Sequence, residues 1–178
     1  MAANSGDALE RARRVRLMIF DVDGVMTDGR LWYGPEGEML KVFHSFDGHG
    51  VKMLAASGVP SAILSGRKST AVERRAAELG IAHVMQGVED KLAAYAGLLA
   101  RLGLEAEVTG YAGDDVVDIP VLLRCGFACA PREAPPAVRE RVHYVCDAPA
   151  GGGAVRELCE LLLRAQGTLD AALAKYLA

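Results

Sequence analysis

The feature that most constrains the fold is a short apolar run that ends in two acidic residues. Leu17–Phe20 are consecutive apolar residues, followed directly by Asp21, Val22, Asp23 and Gly24. Such a run predicts a strand buried on both faces, as in a parallel sheet. Two carboxylates at its carboxyl end are costly unless a positive charge lies between them, and Mg²⁺ suits carboxylate oxygens. Asp-Gly is also common in turns, so the motif alone leaves a plain turn open.

Composition excludes several classes of protein. The chain has 178 residues, 51% of them hydrophobic and 24% charged, with a formal net charge of −3. This length suits one globular domain, and the net charge provides no broad basic field for nucleic acid. No apolar run approaches the ~20 residues that span a bilayer, and none fits a signal peptide. We therefore expect a cytoplasmic protein with neither a nucleic-acid nor a membrane partner.

Two groups of residues receive plain interpretations. Four arginines precede the first strand, at positions 11, 13, 14 and 16. We interpret residues 1–14 as a solvated N-terminal arm, because so few charges do not define a binding surface. The cysteines are Cys125, Cys129, Cys146 and Cys159. Their apolar surroundings and spacing indicate buried thiols in a reducing compartment rather than disulfides or metal ligands.

Strand-like and helix-like segments alternate along most of the chain. This alternation predicts an α/β fold, a Rossmann-like parallel sheet with helices on both faces. Residues 29–43 interrupt it, because two strand-like stretches flank a Gly-Pro-Glu-Gly turn and predict a β-hairpin insertion after the first strand. We predict a single domain over residues 15–165 and a C-terminal tail over residues 166–178.

Polar side chains follow four of the predicted strands. Asp21 and Asp23 follow the first, Ser65 follows the second main strand, Lys91 opens the helix after the third, and Asp114 follows the fourth. Because ligands bind at the carboxyl ends of parallel strands, we expect these groups to form one pocket. Phosphoryl transfer requires such a set: a carboxylate nucleophile, a second carboxyl as acid and base, and positive groups for the phosphoryl oxygens.

These motifs resemble the haloacid dehalogenase superfamily of phosphatases. All four superfamily motifs can be placed: Asp21-Val-Asp23-Gly24-Val25, Ser65, Lys91, and Gly113-Asp114-Asp115-x-x-Asp118. Further segments are similar to a small cap-less group of this superfamily, among them Thr27-Asp28-Gly29, Asp47-Gly48-His49-Gly50, Ser65-Gly66-Arg67-Lys68 and Gly153-Ala154-Val155-Arg156-Glu157. That resemblance implies hydrolysis of 3-deoxy-D-manno-octulosonate 8-phosphate (KDO 8-phosphate), a step toward the lipopolysaccharide inner core.

The resemblance also implies roles for the acidic residues. Asp21 is expected to be the nucleophile that forms an aspartyl-phosphate, and Asp23 the general acid and base. Mg²⁺ would be held by the Asp21 carboxylate, the Asp23 backbone carbonyl and Asp114. Asp115 and Asp118 would orient these ligands.

Phosphate and substrate contacts are implied in the same way. Ser65 and Lys91 would hold phosphate oxygens, and the substrate-binding set is Asp23, His44, Ser45, Phe46, Asp47, Gly48, Lys52, Arg67, Arg75 and Lys91. Arg67 is the most informative member, because an arginine can bind a sugar-acid carboxylate bidentately. One departure from the group is Gly152, where a basic residue or histidine is usual.

The resemblance implies a homotetramer as well. Hairpins at 29–43 would pack into a shared barrel, and neighbouring subunits would replace the missing cap. A lone hairpin is marginal in water, which gives a physical reason for such packing. The tail over 166–178 would either reach a neighbour's pocket or be disordered at the terminus.

Two alternatives remain at this point. One is a phosphatase for a nine-carbon 2-keto-3-deoxy acid 9-phosphate. The other is a non-enzyme, either a receiver-type signalling domain or a phosphatase-like domain retained for assembly. An Asp-x-Asp on the first strand argues against a receiver, and retention of Asp21, Asp23, Lys91 and Asp114 argues against an assembly role.

Overall fold

The computed structural model describes residues 5–177 and consists of eight strands and eight α-helices over that range. The strands are β1 (Leu17–Phe20), β2 (Trp32–Gly34), β3 (Gly37–Leu40), β4 (Ser61–Leu64), β5 (His83–Met85), β6 (Thr109–Ala112), β7 (Phe127–Ala130) and β8 (Tyr144–Val145). The helices are α1 (Ser5–Arg13), α2 (Ser45–Ala56), α3 (Thr70–Leu79), α4 (Lys91–Leu102), α5 (Ile119–Leu122), α6 (Pro136–Arg139), α7 (Ala154–Ala165) and α8 (Leu169–Ala174).

Six of these strands form one parallel sheet, in the order β5-β4-β1-β6-β7-β8. All four residues of β1 are buried, with Met18 and Phe20 in the core on one face and Leu17 and Ile19 in the core on the other. Helices α1, α2, α3 and α7 cover the first face, and α4, α5 and α6 cover the second. This arrangement confirms the predicted Rossmann-like fold and explains why β1 is apolar throughout.

The N-terminal segment differs from the prediction. Residues 5–13 form helix α1, in which Ala8 and Ala12 are buried and pack against α7. Arg11 pairs with Asp7 at 2.8 Å and donates a hydrogen bond to the Gly126 carbonyl. The prediction of a solvated arm is therefore wrong for residues 5–14, because two small residues one turn apart bury against α7. Residues 1–4 of the predicted arm lie outside the described residues.

The C-terminal tail also folds against its own chain. Helix α8 packs on α7, and the Tyr176 hydroxyl lies 3.1 Å from His49 Nε2 on α2. The Gln166 side-chain amide donates to the Val15 carbonyl at 2.8 Å. Residues 166–177 are therefore ordered against their own chain rather than disordered, and contact of the tail with a neighbour's pocket stays a prediction.

A two-stranded hairpin stands apart from the main sheet. Strands β2 and β3 pair antiparallel, within the segment predicted as a hairpin insertion. Trp32, Tyr33, Leu40 and Val42 are each more than half exposed.

Within the described part of the chain, no helix is long and apolar enough to cross a bilayer.

Candidate active site

A sharp turn after β1 carries Asp21 and Asp23 to the carboxyl edge of the sheet. Its pivot is Gly24, whose φ of +83° lies in the region that glycine adopts at no steric cost. A Cβ at Gly24 would stand 2.1 Å from Asp114 Oδ2, so a larger residue would displace Asp114. Asp114 follows β6, which pairs with β1. The glycine thus allows carboxylates from two neighbouring strands to meet.

Three buried or half-buried carboxylates converge here. Oxygen atoms of Asp21, Asp114 and Asp118 lie within 4.8 Å of one another, a spacing that could hold a metal ion. Asp118 is fully buried, and each of its oxygens already accepts hydrogen bonds. Oδ1 accepts from Lys91 at 2.6 Å and from the Tyr111 hydroxyl at 2.5 Å. Asp118 therefore anchors the site, and Asp21 and Asp114 are the carboxylates left to face a cation.

The other oxygen of Asp118 organises the loop after β6. Oδ2 accepts from the backbone N–H groups of Asp114 and Asp115, at 3.1 and 3.2 Å. Asp115 itself accepts from the Val116 N–H at 2.7 Å, so the loop closes as a capping box. These bonds fix the backbone that carries the Asp114 carboxylate.

Burial and nearby negative charge raise the pKa values of Asp21 and Asp114. Burial raises the pKa of Asp21 to about 6, the Asp118 charge adds to the effect, and Lys91 opposes it. Burial raises the pKa of Asp114 to about 7, with the charges of Asp21 and Asp118 contributing. Such carboxylates gain from a hard divalent cation that offsets their repulsion. The donor set, all carboxylate oxygen, fits Mg²⁺.

Lys91 and Ser65 complete the buried part of the site. Lys91 is the first residue of α4, 6% exposed, with Nζ 3.0 Å from Asp21 Oδ2. Burial alone would lower its pKa, but the charges of Asp21 and Asp118 raise it, so Lys91 carries its positive charge. Ser65 follows β4 and is 2% exposed; its Oγ accepts from the Arg67 N–H at 3.4 Å.

One cavity of about 300 Å³ joins these residues. Its lining includes Asp21, Asp23, Ser65, Arg67, Lys91 and Asp114. These side chains follow four strands of the sheet, which is the arrangement that the strand-end pattern predicted. A larger cavity of about 630 Å³ lies at the opposite edge of the sheet, between Arg14, Arg16 and His83. Among the described residues its lining contains no acidic residue, so it offers no carboxylate nucleophile.

Asp23 lies between two cations. Its Oδ1 is 2.5 Å from Lys41 Nζ, and its Oδ2 is 3.9 Å from Arg67 Nε. Arg67 also donates to the Tyr33 hydroxyl on the hairpin at 3.0 Å. Sequence reasoning missed Lys41, for which the only signal was its position at the end of the predicted hairpin.

Seven of the predicted substrate contacts do not line this cavity in the described chain: His44, Ser45, Phe46, Asp47, Gly48, Lys52 and Arg75. Arg75 instead contacts the segment before α2. It donates to the His44 carbonyl at 3.4 Å and lies over the Phe43 ring. Lys52 is exposed on α2. Their substrate-binding roles stay predictions.

Asp47 has a second use that the sequence did not indicate. Its Oδ1 accepts from the Arg156 backbone N–H at 2.8 Å, in the first turn of α7. Helix α7 is preceded by Gly153, which has no side chain to cap it, so Asp47 supplies a cap from another helix. Burial raises the pKa of Asp47, and the hydrogen bond from Arg156 opposes that rise.

Two curated relatives of the chain share one name. No protein-family model matches the chain. The 3-deoxy-D-manno-octulosonate 8-phosphate phosphatase of Yersinia pestis is 45% identical over 166 residues, which cover 93% of this chain and 89% of that protein. The protein of the same name from Escherichia coli K12 is 45% identical over 168 residues, covering 94% of this chain and 89% of its own length.

Solved structures agree with this likeness. The 3-deoxy-D-manno-octulosonate 8-phosphate phosphatase of Moraxella catarrhalis, in complex with magnesium, phosphate and KDO, aligns with a TM-score of 0.95 at 39% identity. The alignment covers 97% of this chain and 99% of that one. A probable YrbI family phosphatase from Pseudomonas syringae aligns with a TM-score of 0.95 at 50% identity, covering 97% and 98% of the two chains.

Proposed function

The chain belongs to the 3-deoxy-D-manno-octulosonate 8-phosphate phosphatase family of the haloacid dehalogenase superfamily, and we propose that it hydrolyses KDO 8-phosphate to KDO and phosphate. The observation that carries the proposal is the cavity in which Asp21, Asp23, Ser65, Lys91 and Asp114 meet. It combines a nucleophile, an acid–base group and a cation in one small space.

The first half-reaction forms an aspartyl-phosphate on Asp21. A carboxylate oxygen of Asp21 attacks phosphorus, and the bond between phosphorus and the C8 oxygen of the sugar breaks. Asp23 gives its proton to that departing oxygen, so the sugar leaves as an alcohol. Lys91 stands beside the attacking carboxylate, and with the Ser65 hydroxyl it stabilises charge on the phosphoryl oxygens.

The second half-reaction releases phosphate. Asp23, now a carboxylate, takes a proton from a water molecule whose oxygen attacks the phosphorus of the aspartyl-phosphate. The acyl-phosphate bond breaks, and Asp21 returns as a carboxylate. Mg²⁺, held by Asp21, the Asp23 backbone carbonyl and Asp114, would supply positive charge for the phosphoryl oxygens and the nucleophile.

Burial supports this chemistry. Asp21, Ser65 and Lys91 are 6%, 2% and 6% exposed, so the reacting carboxylate lies in a region largely without water. Electrostatic interactions are stronger in such a region than in solvent. Asp118 holds Lys91 in place, so the positive charge is positioned before substrate arrives.

Substrate selection is proposed to rest first on Arg67. Its side chain is half exposed at the cavity, where a sugar carboxylate would accept two of its N–H groups. The predicted contacts outside the cavity, from His44–Gly48, Lys52 and Arg75, are proposed to act in the assembled protein.

That assembly is proposed to be a homotetramer. The hairpin exposes Trp32, Tyr33, Leu40 and Val42 together, and two strands alone bury little apolar area. Packing hairpins from several subunits into a shared barrel would cover these side chains. Sedimentation equilibrium tests this directly, and a monomer at micromolar concentration would contradict it.

The proposed setting is lipopolysaccharide inner-core synthesis in the cytoplasm. All four cysteines are buried free thiols, which suits a reducing compartment.

Phosphate release from KDO 8-phosphate tests the proposed function, measured with Mg²⁺ and with a chelator. The panel includes other sugar phosphates and a nine-carbon 2-keto-3-deoxy acid 9-phosphate. We expect Mg²⁺-dependent release that is fastest with KDO 8-phosphate. Faster release from the nine-carbon ester would keep the mechanism and overturn the substrate, whereas no release from any ester would favour an assembly or signalling role.

A further inference from the structure

Lys41 turns inward at the end of the hairpin. Its neighbours Leu40 and Val42 are 60% and 63% exposed, whereas the Lys41 side chain is 2% exposed. The ammonium group lies 2.5 Å from Asp23 Oδ1. Burying an ammonium group is costly unless it is paired, so this orientation is a specific feature of the fold rather than a chance surface contact.

Lys41 is the nearer of the two cations that flank Asp23. In the part of the chain that the structure describes, the Asp23 carboxylate has ion pairs to Lys41 and Arg67, and the Arg67 pair is the longer one, at 3.9 Å. Arg67 lines the cavity and its side chain is half exposed there. Lys41 is not among the described residues that line the cavity, and it reaches the cavity through its ion pair with Asp23.

Orientation matters for the group that Asp23 is proposed to be. The carboxyl must point at the sugar oxygen while the phosphorus–oxygen bond breaks, and small displacements of a catalytic group lose much of its effect. A buried lysine with a packed stem restricts the two side-chain torsions of Asp23. We propose that Lys41 is a positioning residue that holds Asp23 at the leaving-group side of the cavity, an inference that rests on the proposed phosphatase function.

The test compares two esters whose leaving groups differ in their need for a proton. The sugar oxygen of KDO 8-phosphate must be protonated as it leaves, whereas nitrophenolate leaves p-nitrophenyl phosphate without help. We expect Lys41→Met to lower kcat on KDO 8-phosphate by about 10- to 100-fold, within the range of general acid catalysis, and to change KM little. On p-nitrophenyl phosphate, the initial burst of nitrophenolate per mole of protein, which reports the first half-reaction alone, should keep a rate within about 3-fold of wild type, since that step does not need the acid.

Matched variants separate positioning from a general loss of structure. Arg139→Met, which removes one cation at an exposed site on α6, should leave both esters unaffected. Lys41→Arg should recover part of the lost kcat, because it restores a cation. Adding Lys41→Met to Asp23→Asn should cause no further loss on KDO 8-phosphate, since residues that act as a unit are not additive.

The ratio between the two esters decides the inference, because a misfolded fraction lowers both rates equally. Equal losses on both esters, a change in KM alone, or full activity of Lys41→Met would overturn it, while the proposed function would stand. If Lys41→Met does not yield folded protein, the ratio for Lys41→Gln decides in the same way. A wild-type protein inactive on both esters would overturn the proposed function and this inference with it.

Discussion

Asp21 and Asp23 stand two positions apart in the sequence, but the fold holds their side chains in different ways. Asp21 is 6% exposed and contacts Lys91, which is itself held by the fully buried Asp118. These partners follow central strands or open a helix that packs on the sheet. The nucleophile is therefore fixed by the core of a single chain.

The side chain of Asp23, in contrast, is contacted by residues at the periphery of the fold. Its cationic neighbours are Lys41, at the end of the hairpin, and Arg67, which bonds to Tyr33 on the same hairpin. The hairpin is outside the main sheet and exposes much apolar surface. In the proposed mechanism, chemistry common to all phosphate esters thus lies in the core, and the leaving group is handled beside an element that can vary without disturbing the sheet.

The largest effect is expected from Asp21→Asn, which removes the nucleophile without changing its shape. Turnover of KDO 8-phosphate should fall by about 10⁴-fold or more, because an amide cannot form the proposed aspartyl-phosphate. Circular dichroism should show an intact fold. Glu105→Gln, which removes one negative charge at an exposed site before β6, should leave the rate unchanged. An active Asp21→Asn protein would refute the assignment.

Asp118→Asn should have the next largest effect, because Asp118 holds the residues around Asp21 in place. It removes the charge that holds Lys91 and presents an amide where four donors now point. We expect unfolding free energy to fall by about 3 kcal/mol and kcat to fall about 100-fold on every ester. Denaturant titration and kinetics measure these changes. A loss confined to esters with poor leaving groups would instead assign Asp118 to the Asp23 side.

Arg67→Ala tests whether the peripheral residues beside Asp23 bind the carboxylate of the substrate. We expect kcat/KM for KDO 8-phosphate to fall about 10- to 100-fold, because a bidentate contact with the carboxylate is lost. An alkyl phosphate without a carboxylate should lose less than about 3-fold. Arg139→Ala, at an exposed site on α6, is the control. Equal losses on both esters would show that Arg67 does not bind the carboxylate.

The smallest effect concerns the metal-free protein and its dependence on pH. The pKa values of Asp21 and Asp114, about 6 and about 7, lie above the unfolded value of 3.8. The stability that these groups contribute is present below pH 3.8 and is lost as pH rises through 6 and 7, where both become charged together. Mg²⁺ should therefore raise Tm more at pH 8 than at pH 5.5.

Saturation at about 100 times Kd gives about 2.7 kcal/mol, or about 5 to 10 °C in Tm for a domain of this size. Differential scanning fluorimetry at both pH values measures the shift. Asp114→Asn should abolish most of it. An equal Mg²⁺ shift at both pH values would contradict a site made of these two carboxyls.

The part of the site around Asp21 could be predicted from the sequence, because its residues follow apolar runs that are recognisable by themselves. Leu17–Phe20 predicted β1, and Ser65, Lys91 and Asp114 follow strands whose order the α/β pattern implies. The buried position of Lys41 could not be predicted, because a lysine after a hairpin is normally solvated. Only the tertiary fold turns its side chain inward, beside Asp23. The Asp47 cap of α7 joins residues 109 apart, so no local pattern contains it.

The packing of the terminal segments could not be predicted for a related reason. Arginines near α1 suggested a solvated arm, but Ala8 and Ala12 bury because α7 supplies the surface on which they pack. The tail folds back because Tyr176 meets His49 on α2. These contacts depend on where distant helices lie, which periodicity alone does not specify.

The most direct test of the central claim is a rapid-quench experiment on Asp23→Asn with p-nitrophenyl phosphate, followed by peptide mass spectrometry. This ester needs no acid to leave, so the first half-reaction should proceed, while the second lacks its base. The account predicts a burst of nitrophenolate and a phosphoryl group on the peptide that contains Asp21. A burst with phosphate attached elsewhere, or steady turnover with no phosphorylated peptide, would contradict it.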